Sequence, residues 1–221
     1  TEDGTHRIVY RGDDNDIHSL NWKPDEVGIT HENLSAGGAA VAQKAAGDPA
    51  AYFIPKHVSA TSGQEVQSRN QVTYRGTDSH IYELWWHGED AVRYWDLSNE
   101  CHAPLAASDP VAYYSGGVKH VYYLGGDGSM HWIWWVLGQE IPLCANLTLL
   151  ASAPLAVGKP SAFAIENPPR YHVVYMEKDE PHHIHEINWN VIEVPYFDSP
   201  TQQSNIRIRD GAGKISPPQE K

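Results

Sequence analysis

The residue types most suited to holding a small polar ligand occur together in the segment 74–95. A sugar needs an apolar ring against its C–H face and fixed polar groups for its hydroxyls, and charged side chains make the stronger hydrogen bonds. The segment supplies both kinds of group in Arg75, Glu83, Trp85 and Trp95. These four residues are predicted to form a monosaccharide site. The alternative is that Arg75 and Glu83 form an ion pair between neighbouring sheets and contact no ligand.

The same positions recur, with changes, in three related segments of the chain. Arg11 matches Arg75, whereas Leu124 and Met176 replace the arginine in the other two segments. Further ligand-binding candidates stand at columns that vary among the segments: Trp134, Glu186 and His185. The sequence therefore predicts sites of unequal strength, and several weak sites on one molecule would gain affinity through multivalency.

Histidine is the other residue type abundant enough to suggest chemistry, with 13 copies in the chain. His182, His183 and His185 lie close together in the sequence and suggest a metal site. Zinc needs three or four converging ligands. His185, however, stands in a column that His18 and His131 fill in other segments, so the repeat itself accounts for it. No metal and no cofactor are predicted.

Sequence signatures of enzymes are missing from the chain. It contains no Gly-x-Ser-x-Gly turn, no phosphate-binding glycine loop and no His-Glu-x-x-His motif. Catalysis normally occupies one asymmetric site, whereas the polar candidates here partly follow a repeat. We therefore predict a binding protein rather than an enzyme, with a glycosidase as a distant alternative.

The elements that position these residues are read from four segments that superimpose on one another: 8–22, 72–86, 121–135 and 173–189. Each begins with a tyrosine column, formed by Tyr10, Tyr74, Tyr123 and Tyr175. Each ends at a tryptophan column, formed by Trp22, Trp86, Trp135 and Trp189. Short β-branched and aromatic runs flank a polar turn in every segment, which is typical of a β-hairpin. The tryptophan column is predicted to be core.

Two further signals follow the first three hairpins. An Asx-Leu-Ser/Thr motif recurs, first at Asn33, and an Asp-Pro or Lys-Pro pair then leads into a run of small and aromatic residues. The unit therefore has four strands: A after the proline, B and C in the hairpin, and D before the Asx-Leu motif. Residues 54–69 read as a long insertion between strands A and B of the second unit.

Four antiparallel strands repeated about every fifty residues are typical of a β-propeller blade. The predicted fold is all-β, a four-bladed propeller over residues 1–210 with blades at about 6–35 plus 204–210, 48–98, 109–148 and 159–198. The run 205–209 is predicted to supply the missing strand A of blade one and so close the ring. The alternative is a ring completed by oligomerisation. Residues 191–197 are a weak candidate for the last strand of blade four, and 211–221 are predicted to be a disordered tail.

Composition excludes several classes of partner. The net charge of −12 leaves no basic surface for nucleic acid or anionic membranes. The longest apolar stretches are too short and too interrupted for membrane insertion. Cys101 and Cys144 could form one disulfide, but two cysteines do not make a disulfide scaffold. A secreted or extracellular-acting protein is expected, with a cytoplasmic location as the alternative.

One run of motifs resembles the repeats of bacterial and fungal propeller lectins. It reads Tyr-Arg-Gly, a turn, His-Ile-x-Glu-Leu-x-Trp, then Asp-Leu-Ser and Asp-Pro. The resemblance is greatest to the seven-bladed, fucose-binding group, is strongest at 74–86 and 183–189, and spans about 6–198. It implies binding of fucose-like or methylated sugars at sites between or beside blades. Four repeats instead of seven is a departure from that family.

Together these patterns predict a multivalent carbohydrate-binding lectin whose partners are glycans or glycoconjugates. The alternative is a hemopexin-like four-bladed module that binds a protein or the extracellular matrix. A homo-oligomer is possible in either case.

Overall fold

The computed structural model describes residues 4–36, 42–58, 65–136, 141–167 and 169–190, together with the backbone of 206–210. The chain is all-β, and its strands form four main antiparallel sheets, which we number I to IV in chain order. Sheet I contains β1 (His6–Arg11), β2 (Ile17–Trp22) and β3 (Thr30–Asn33).

Sheet II begins with β4 (Ala50–Ile54), after which β5 (His57–Val58) and β6 (Glu65–Val66) form a separate small hairpin. It continues with β7 (Arg69–Arg75), β8 (Ile81–Trp86) and β9 (Arg93–Asp96), and α1 (Leu97–Cys101) follows. The predicted insertion between strands A and B is confirmed, because β5 and β6 lie between β4 and β7.

Sheet III contains β10 (Val111–Ser115), β11 (Val118–Leu124), β12 (Met130–Val136) and β13 (Leu143–Asn146), followed by α2 (Leu147–Ala151). Sheet IV contains β14 (Ala156–Glu166), β15 (Pro169–Glu177), β16 (Ile184–Asn190) and β17 (Ile206–Asp210). Each of the four tyrosine-to-tryptophan hairpins forms an antiparallel strand pair, as the sequence predicted. The pair is central in sheets II, III and IV, whereas in sheet I it is the first two of three strands.

The Asx-Leu-Ser/Thr motif ties the end of each of the first three sheets to its hairpin. In sheet II, the Asp96 side chain caps α1 by accepting the N–H of Asn99, and Leu97 is fully buried. The hydroxyl of Ser98 accepts the backbone N–H of Ile81, the first residue of β8, at 2.8 Å. Sheets I and III repeat this bond through Ser35 and Thr148. The two short helices, which the sequence analysis did not anticipate, are products of this motif.

The tyrosine and tryptophan columns form the core between successive sheets. Trp86, Trp135 and Trp189 are at most 5% exposed, which confirms the core prediction for three of the four tryptophans. Three clusters of buried side chains join sheet I to II, II to III and III to IV. Trp22 is only half-buried, because among the described residues no sheet covers that side of sheet I.

The prediction for the strand at 205–209 is wrong. Strand β17 pairs antiparallel with β16, with Ile206 opposite Trp189 and Ile208 opposite Ile187, so it is the fourth strand of sheet IV. Its alternating pattern suits any strand beside a hairpin, and the nearest open edge lies on the strand that the chain has just left. Sheet I therefore has three strands among the described residues. Residues 191–197 and 211–221 lie outside the described part of the chain.

Cys101 and Cys144 are free thiols that lie close together, and the Cys144 thiol donates to the backbone oxygen of Cys101 at 3.0 Å. A hydrogen bond between the two thiols lowers the pKa of Cys144 to about 7 and raises the pKa of Cys101.

Neither described helix approaches the length that a membrane crossing requires.

Within the described part of the chain, Trp135 is covered by a neighbouring sheet and Trp22 is not, and this difference gives a test of how the sheets stack. Replacing Trp135 by Ala removes a fully buried indole and should lower the free energy of unfolding by about 3–5 kcal/mol. The matched change Trp22→Ala should cost clearly less, since that ring is half-exposed. Urea denaturation of both variants measures the difference, and equal losses would mean that the outer side of sheet I is covered.

Candidate functional site

Neighbouring sheets meet face to face, and we call the space between two facing sheets a seam. Three contacts show which side chains of one sheet point at the next: Arg7 on Trp86, Glu83 on Lys119, and Tyr122 on Trp189. In sheets I to III, the residues that face the following seam lie on strands B and C, one and three residues before and nine and eleven residues after the tyrosine column. Different residues at these positions give each seam its own chemistry.

The seam between sheets I and II holds a partly exposed polar cluster centred on Arg7. The guanidinium donates from Nη1 to Oδ1 of Asn21 at 2.8 Å, and the same nitrogen lies 3.9 Å from Oε2 of Glu32. Its Cζ atom is 5.4 Å from the ring centroid of Trp86 in sheet II, within reach of a cation–π interaction. Strands β1, β2 and β3 of one sheet thus each contribute one polar side chain to the cluster.

This cluster retains unused hydrogen-bonding capacity. Nε of Arg7 is buried and has no hydrogen-bond partner among the described residues. The side chain of Glu32 is 49% exposed and that of Arg7 is 18% exposed, so solvent reaches the pair. A cation–carboxylate pair 3.9 Å apart is too long for a strong direct bond, so it leaves room for a third group to bond to both.

The seam between sheets II and III is closed by a buried ion pair. Nζ of Lys119 donates to Oε2 of Glu83 at 2.9 Å and to Oε1 of Gln71 at 3.2 Å, and the Tyr52 hydroxyl donates to Oε1 of Glu83. Both charged side chains are almost inaccessible to solvent. Burial raises the pKa of Glu83 and lowers the pKa of Lys119, because removal from water disfavours both charges. A ligand cannot reach Glu83 in this arrangement.

The other predicted members of the Glu83 site are dispersed. Arg75 instead forms a salt bridge of 3.2 Å with Asp109, so the alternative that Arg75 pairs with Glu83 is wrong. Trp95 packs edge-on against Trp135 across the seam. Each charged group of the predicted site has a different protein partner, so Arg75 and Glu83 do not act as one polar cluster.

Trp85 remains half-buried, and two guanidinium groups contact its ring. The Cζ atoms of Arg69 and Arg93 lie 4.8 and 4.7 Å from its centroid. Burial lowers the pKa of Arg69, and its Nε atom has no hydrogen-bond partner within the described residues. Trp85 is therefore the part of the predicted sheet II site that still combines an accessible ring with charged donors.

Aromatic side chains fill the seam between sheets III and IV. Trp134 is 7% exposed and stacks on Trp132 with 3.9 Å between ring centroids. Trp132 donates from Nε1 to Nδ1 of His120, which is buried between Tyr113 and Tyr171. Burial lowers the pKa of His120 to about 3. The seam is packed as core, and Trp134 contributes to that packing.

The remaining predicted residues lie on sheets I and IV. Arg11 is exposed at the turn of the first hairpin and donates to Asn15. Glu186 accepts a short hydrogen bond from Nδ1 of His172, and the His172 ring stacks on Phe163, which is 46% exposed. His185 pairs with Glu177 and is buried.

Sequence reasoning missed Arg7 and Lys119. Strand alternation was a usable signal for Arg7, because a residue three before Tyr10 on strand B faces the same side as Asn21 on strand C. The position three before the tyrosine column is occupied by Arg7, Gln71, His120 and His172 in the four repeats. The residue type therefore differs among the repeats, which is the criterion used above to select ligand-binding candidates. Lys119 gave no such signal, because its partner Glu83 belongs to another sheet.

No protein-family model and no curated protein sequence matches this chain. Solved structures do match its fold. A variant of Aleuria aurantia lectin in complex with alpha-methyl-L-fucoside superimposes with a TM-score of 0.58 and 17% identity, over 96% of this chain and 59% of that one. A variant of AofleA from Arthrobotrys oligospora with three arginine-to-alanine substitutions superimposes with a TM-score of 0.53 and 13% identity, over 97% and 54%.

A fucose lectin from Kordia zhangzhouensis in complex with methyl-fucoside matches over 64% of this chain and 89% of that one, with 17% identity and a TM-score of 0.43. The chain therefore spans less than two thirds of the length of the Aleuria lectin and AofleA structures. At these identities the likeness shows a shared fold. The Aleuria protein is a lectin. That this chain is not an enzyme stays a prediction.

The buried ion pair gives one test of the seams. Glu83→Gln leaves the Lys119 charge buried without a counterion and should lower the free energy of unfolding by about 3–5 kcal/mol. The double variant Glu83→Leu with Lys119→Met removes both charges and should recover most of that loss. Urea denaturation distinguishes the two, and a double variant as unstable as Glu83→Gln would contradict this account of the seam.

His120 gives a pH test. The folded protein keeps this ring neutral down to about pH 3, whereas the unfolded chain takes up the proton near pH 6.5. The free energy of unfolding should therefore fall as pH drops from 6.5 toward 3, by on the order of 4 kcal/mol from this residue. His120→Gln keeps a hydrogen-bond acceptor and should flatten this dependence, while His6→Gln on sheet I should not. An unchanged slope in His120→Gln would contradict the assignment.

Proposed function

We propose that the protein is a carbohydrate-binding lectin and that its main sugar site is the seam between sheets I and II. The observation that carries the proposal is the partly exposed cluster of Arg7, Asn21 and Glu32, which lies at a junction between two sheets. The seam between sheets II and III is closed by charges, and the seam between III and IV is filled by rings. Among the described residues, the first seam joins a cation, an amide and a carboxylate in one partly exposed cluster.

The cluster suits recognition of neighbouring hydroxyls on a pyranose ring. A guanidinium donates to hydroxyl oxygens, a carboxylate accepts from hydroxyl protons, and the Asn21 amide can do both. A hydroxyl inserted between Arg7 and Glu32 would bridge atoms that are now 3.9 Å apart. An uncharged sugar meets no like charge in such a site, whereas a further cation would meet Arg7 and a further anion would meet Glu32.

The four sheets are proposed to be blades of a β-propeller. The support is that each sheet presents the same side to its successor, with the tryptophan column of the successor at the contact. The outer sides of sheets I and IV carry exposed apolar residues, among them Ile8 at 53% and Ile184 at 54%. Further cover of these two sides, from a homo-oligomer or from closure of the ring, is part of the proposal.

Fucose-like or methylated sugars are the proposed ligands. The Aleuria lectin was solved with alpha-methyl-L-fucoside and with Fucalpha1-6GlcNAc, and it shares the fold over nearly the whole of this chain. A deoxy or methylated sugar presents an apolar edge as well as hydroxyls, which suits sites that combine a ring with charged donors, such as Trp85 with Arg93. Glycans or glycoconjugates outside the cell are the corresponding partners.

Two additional surfaces support multivalent binding by unequal sites. Phe163, His172 and Glu186 place an exposed ring beside a hydrogen-bonded carboxylate on sheet IV. Trp85 with Arg93 places a half-exposed indole beside an exposed cation on sheet II. Weak binding at each would add through avidity on a multivalent glycan.

A hemopexin-like protein-binding module is the alternative to a lectin. No described surface favours it over sugar binding, and the two are separated by a glycan array. Discrete sugar hits that free L-fucose competes away support the lectin. The absence of binding to any glycan on the array, together with capture of a defined matrix protein, would support the alternative.

Arg7→Ala removes the centre of the proposed site and should weaken binding of alpha-methyl-L-fucoside at least about tenfold, since a charged hydrogen bond is worth about 1.5–3 kcal/mol. Arg11→Ala is the matched control, because it removes an exposed arginine of the same strand whose only described bond is to Asn15. Isothermal titration calorimetry measures both.

The control should bind within about twofold of the wild type, a difference that corresponds to only about 0.4 kcal/mol. Circular dichroism should show that both variants keep the fold. If Arg7→Ala binds as well as Arg11→Ala, the seam between sheets I and II is not the sugar site.

A further inference from the structure

The hairpins of sheets I, II and III share one side-chain clamp across their turns. The residue eight after the tyrosine column bonds to a turn aspartate: His18 to Asp14 at 2.9 Å, Tyr82 to Asp78 at 2.6 Å, and His131 to Asp127 at 3.1 Å. In each case one carboxylate serves one ring. The clamp is therefore a structural feature of the repeat, and it explains the histidine column seen in the sequence.

Each of these clamps depends on a glycine two residues after the tyrosine column. A Cβ atom at Gly12 would lie 2.6 Å from Oδ1 of Asp14, and one at Gly125 would lie 2.6 Å from Oδ1 of Asp127. Glycine leaves the space through which the aspartate reaches the ring. A larger residue at this position is incompatible with that aspartate arrangement.

Sheet IV departs from this pattern at the same position. Glu177 replaces the glycine, and its own carboxylate reaches His185, with Oε2 3.1 Å from Nε2. The hairpin is also two residues longer than the others, because His185 follows Tyr175 by ten residues rather than eight. The extra length brings a third group, His183, to the clamp. Its Nδ1 atom lies 3.5 Å from Oε2 of Glu177.

We propose that Glu177, His183 and His185 form a binding site for a zinc-like divalent transition-metal ion. Their ligand atoms all lie within 4.8 Å of one another. The ligands of a tetrahedral zinc site with bonds of about 2.1 Å stand about 3.4 Å apart. The most distant pair of atoms therefore needs to close by up to about 1.4 Å, and the side chain of His183, which is 62% exposed, is free to move.

The donor set selects the class of metal. Two imidazole nitrogens and one carboxylate oxygen suit zinc, nickel or copper, whereas calcium and magnesium prefer oxygen ligands throughout. One negative charge from Glu177 and the overall charge of −12 favour a cation at this surface. A fourth position stays open to water.

The repeat itself argues against a plain ion pair. The other two histidine clamps satisfy one imidazole with one carboxylate, but here a single oxygen, Oε2 of Glu177, faces two imidazoles. A shared metal ion satisfies all three groups at once. Nδ1 of His185 is buried without a hydrogen-bond partner among the described residues, so the site lacks the second bond that usually orients a ligating histidine. We therefore expect metal affinity about 10–100-fold weaker than that of a site with this second bond.

The neighbouring His182 supplies a matched control. Its Nε2 atom pairs with Glu180 at 2.9 Å, and its Nδ1 atom lies 3.0 Å from the backbone oxygen of Glu177, so it is outside the cluster. The sequence pattern grouped His182 with His183 and His185, whereas the structure replaces it by Glu177.

The test is calorimetric titration of the whole chain with zinc chloride, for wild type, His183→Asn and His182→Asn. Wild type should bind zinc saturably, His183→Asn should lose this binding event or weaken it at least about tenfold, and His182→Asn should match wild type. Nuclear magnetic resonance of the wild type should show the His183 and His185 ring signals shifting with the first equivalent of zinc. Calcium should not produce these shifts.

Three results would overturn the proposal: no saturable zinc binding by wild type, equal affinity in His183→Asn, or equal losses in the two variants. Sugar binding at the seam between sheets I and II does not depend on this hairpin. A negative result here therefore leaves the lectin proposal intact.

Discussion

A sheet with two apolar sides is stable in water only when other sheets cover both, and the rest of this molecule follows from that constraint. Each hairpin places its tyrosine and tryptophan columns where the preceding sheet covers them, so the indoles of Trp86, Trp135 and Trp189 become core. The Asx-Leu-Ser/Thr motif then holds the return strand against the hairpin by bonding a hydroxyl to a backbone N–H. Stacking of this kind fixes the sheets but leaves the opposite side of each one free to vary.

That variable side is where binding chemistry can develop. One column of the repeat carries Arg7, Gln71, His120 and His172. Each of these side chains makes different contacts. Burying Glu83 against Lys119 removes both charges from solvent and closes a seam. Arg7 instead stays partly exposed beside a half-exposed carboxylate, so its seam keeps the capacity to bond a ligand. Divergence among repeats therefore converts equal positions into unequal sites.

Much of the fold was predictable because period and alternation are local properties of the chain. The four hairpins, the insertion after Ile54 and the buried tryptophans all follow from them. The pairing of β17 was not, since an alternating strand fits any open edge and spacing alone does not choose between β1 and β16. The site was harder still. Arg75 was predicted to bind the ligand because of its place in the Tyr-Arg-Gly motif. In the structure it forms a salt bridge with Asp109, which belongs to a later segment of the chain. Ion pairs between distant segments leave no periodic signal in a sequence.

The most direct test of the central claim is a crystal structure of the protein soaked in alpha-methyl-L-fucoside. We expect the four sheets to stack in order about a common axis, with sugar density within hydrogen-bonding distance of Arg7 and Glu32. Density confined to other surfaces, or sheets whose tryptophans lie in unrelated surroundings, would contradict it.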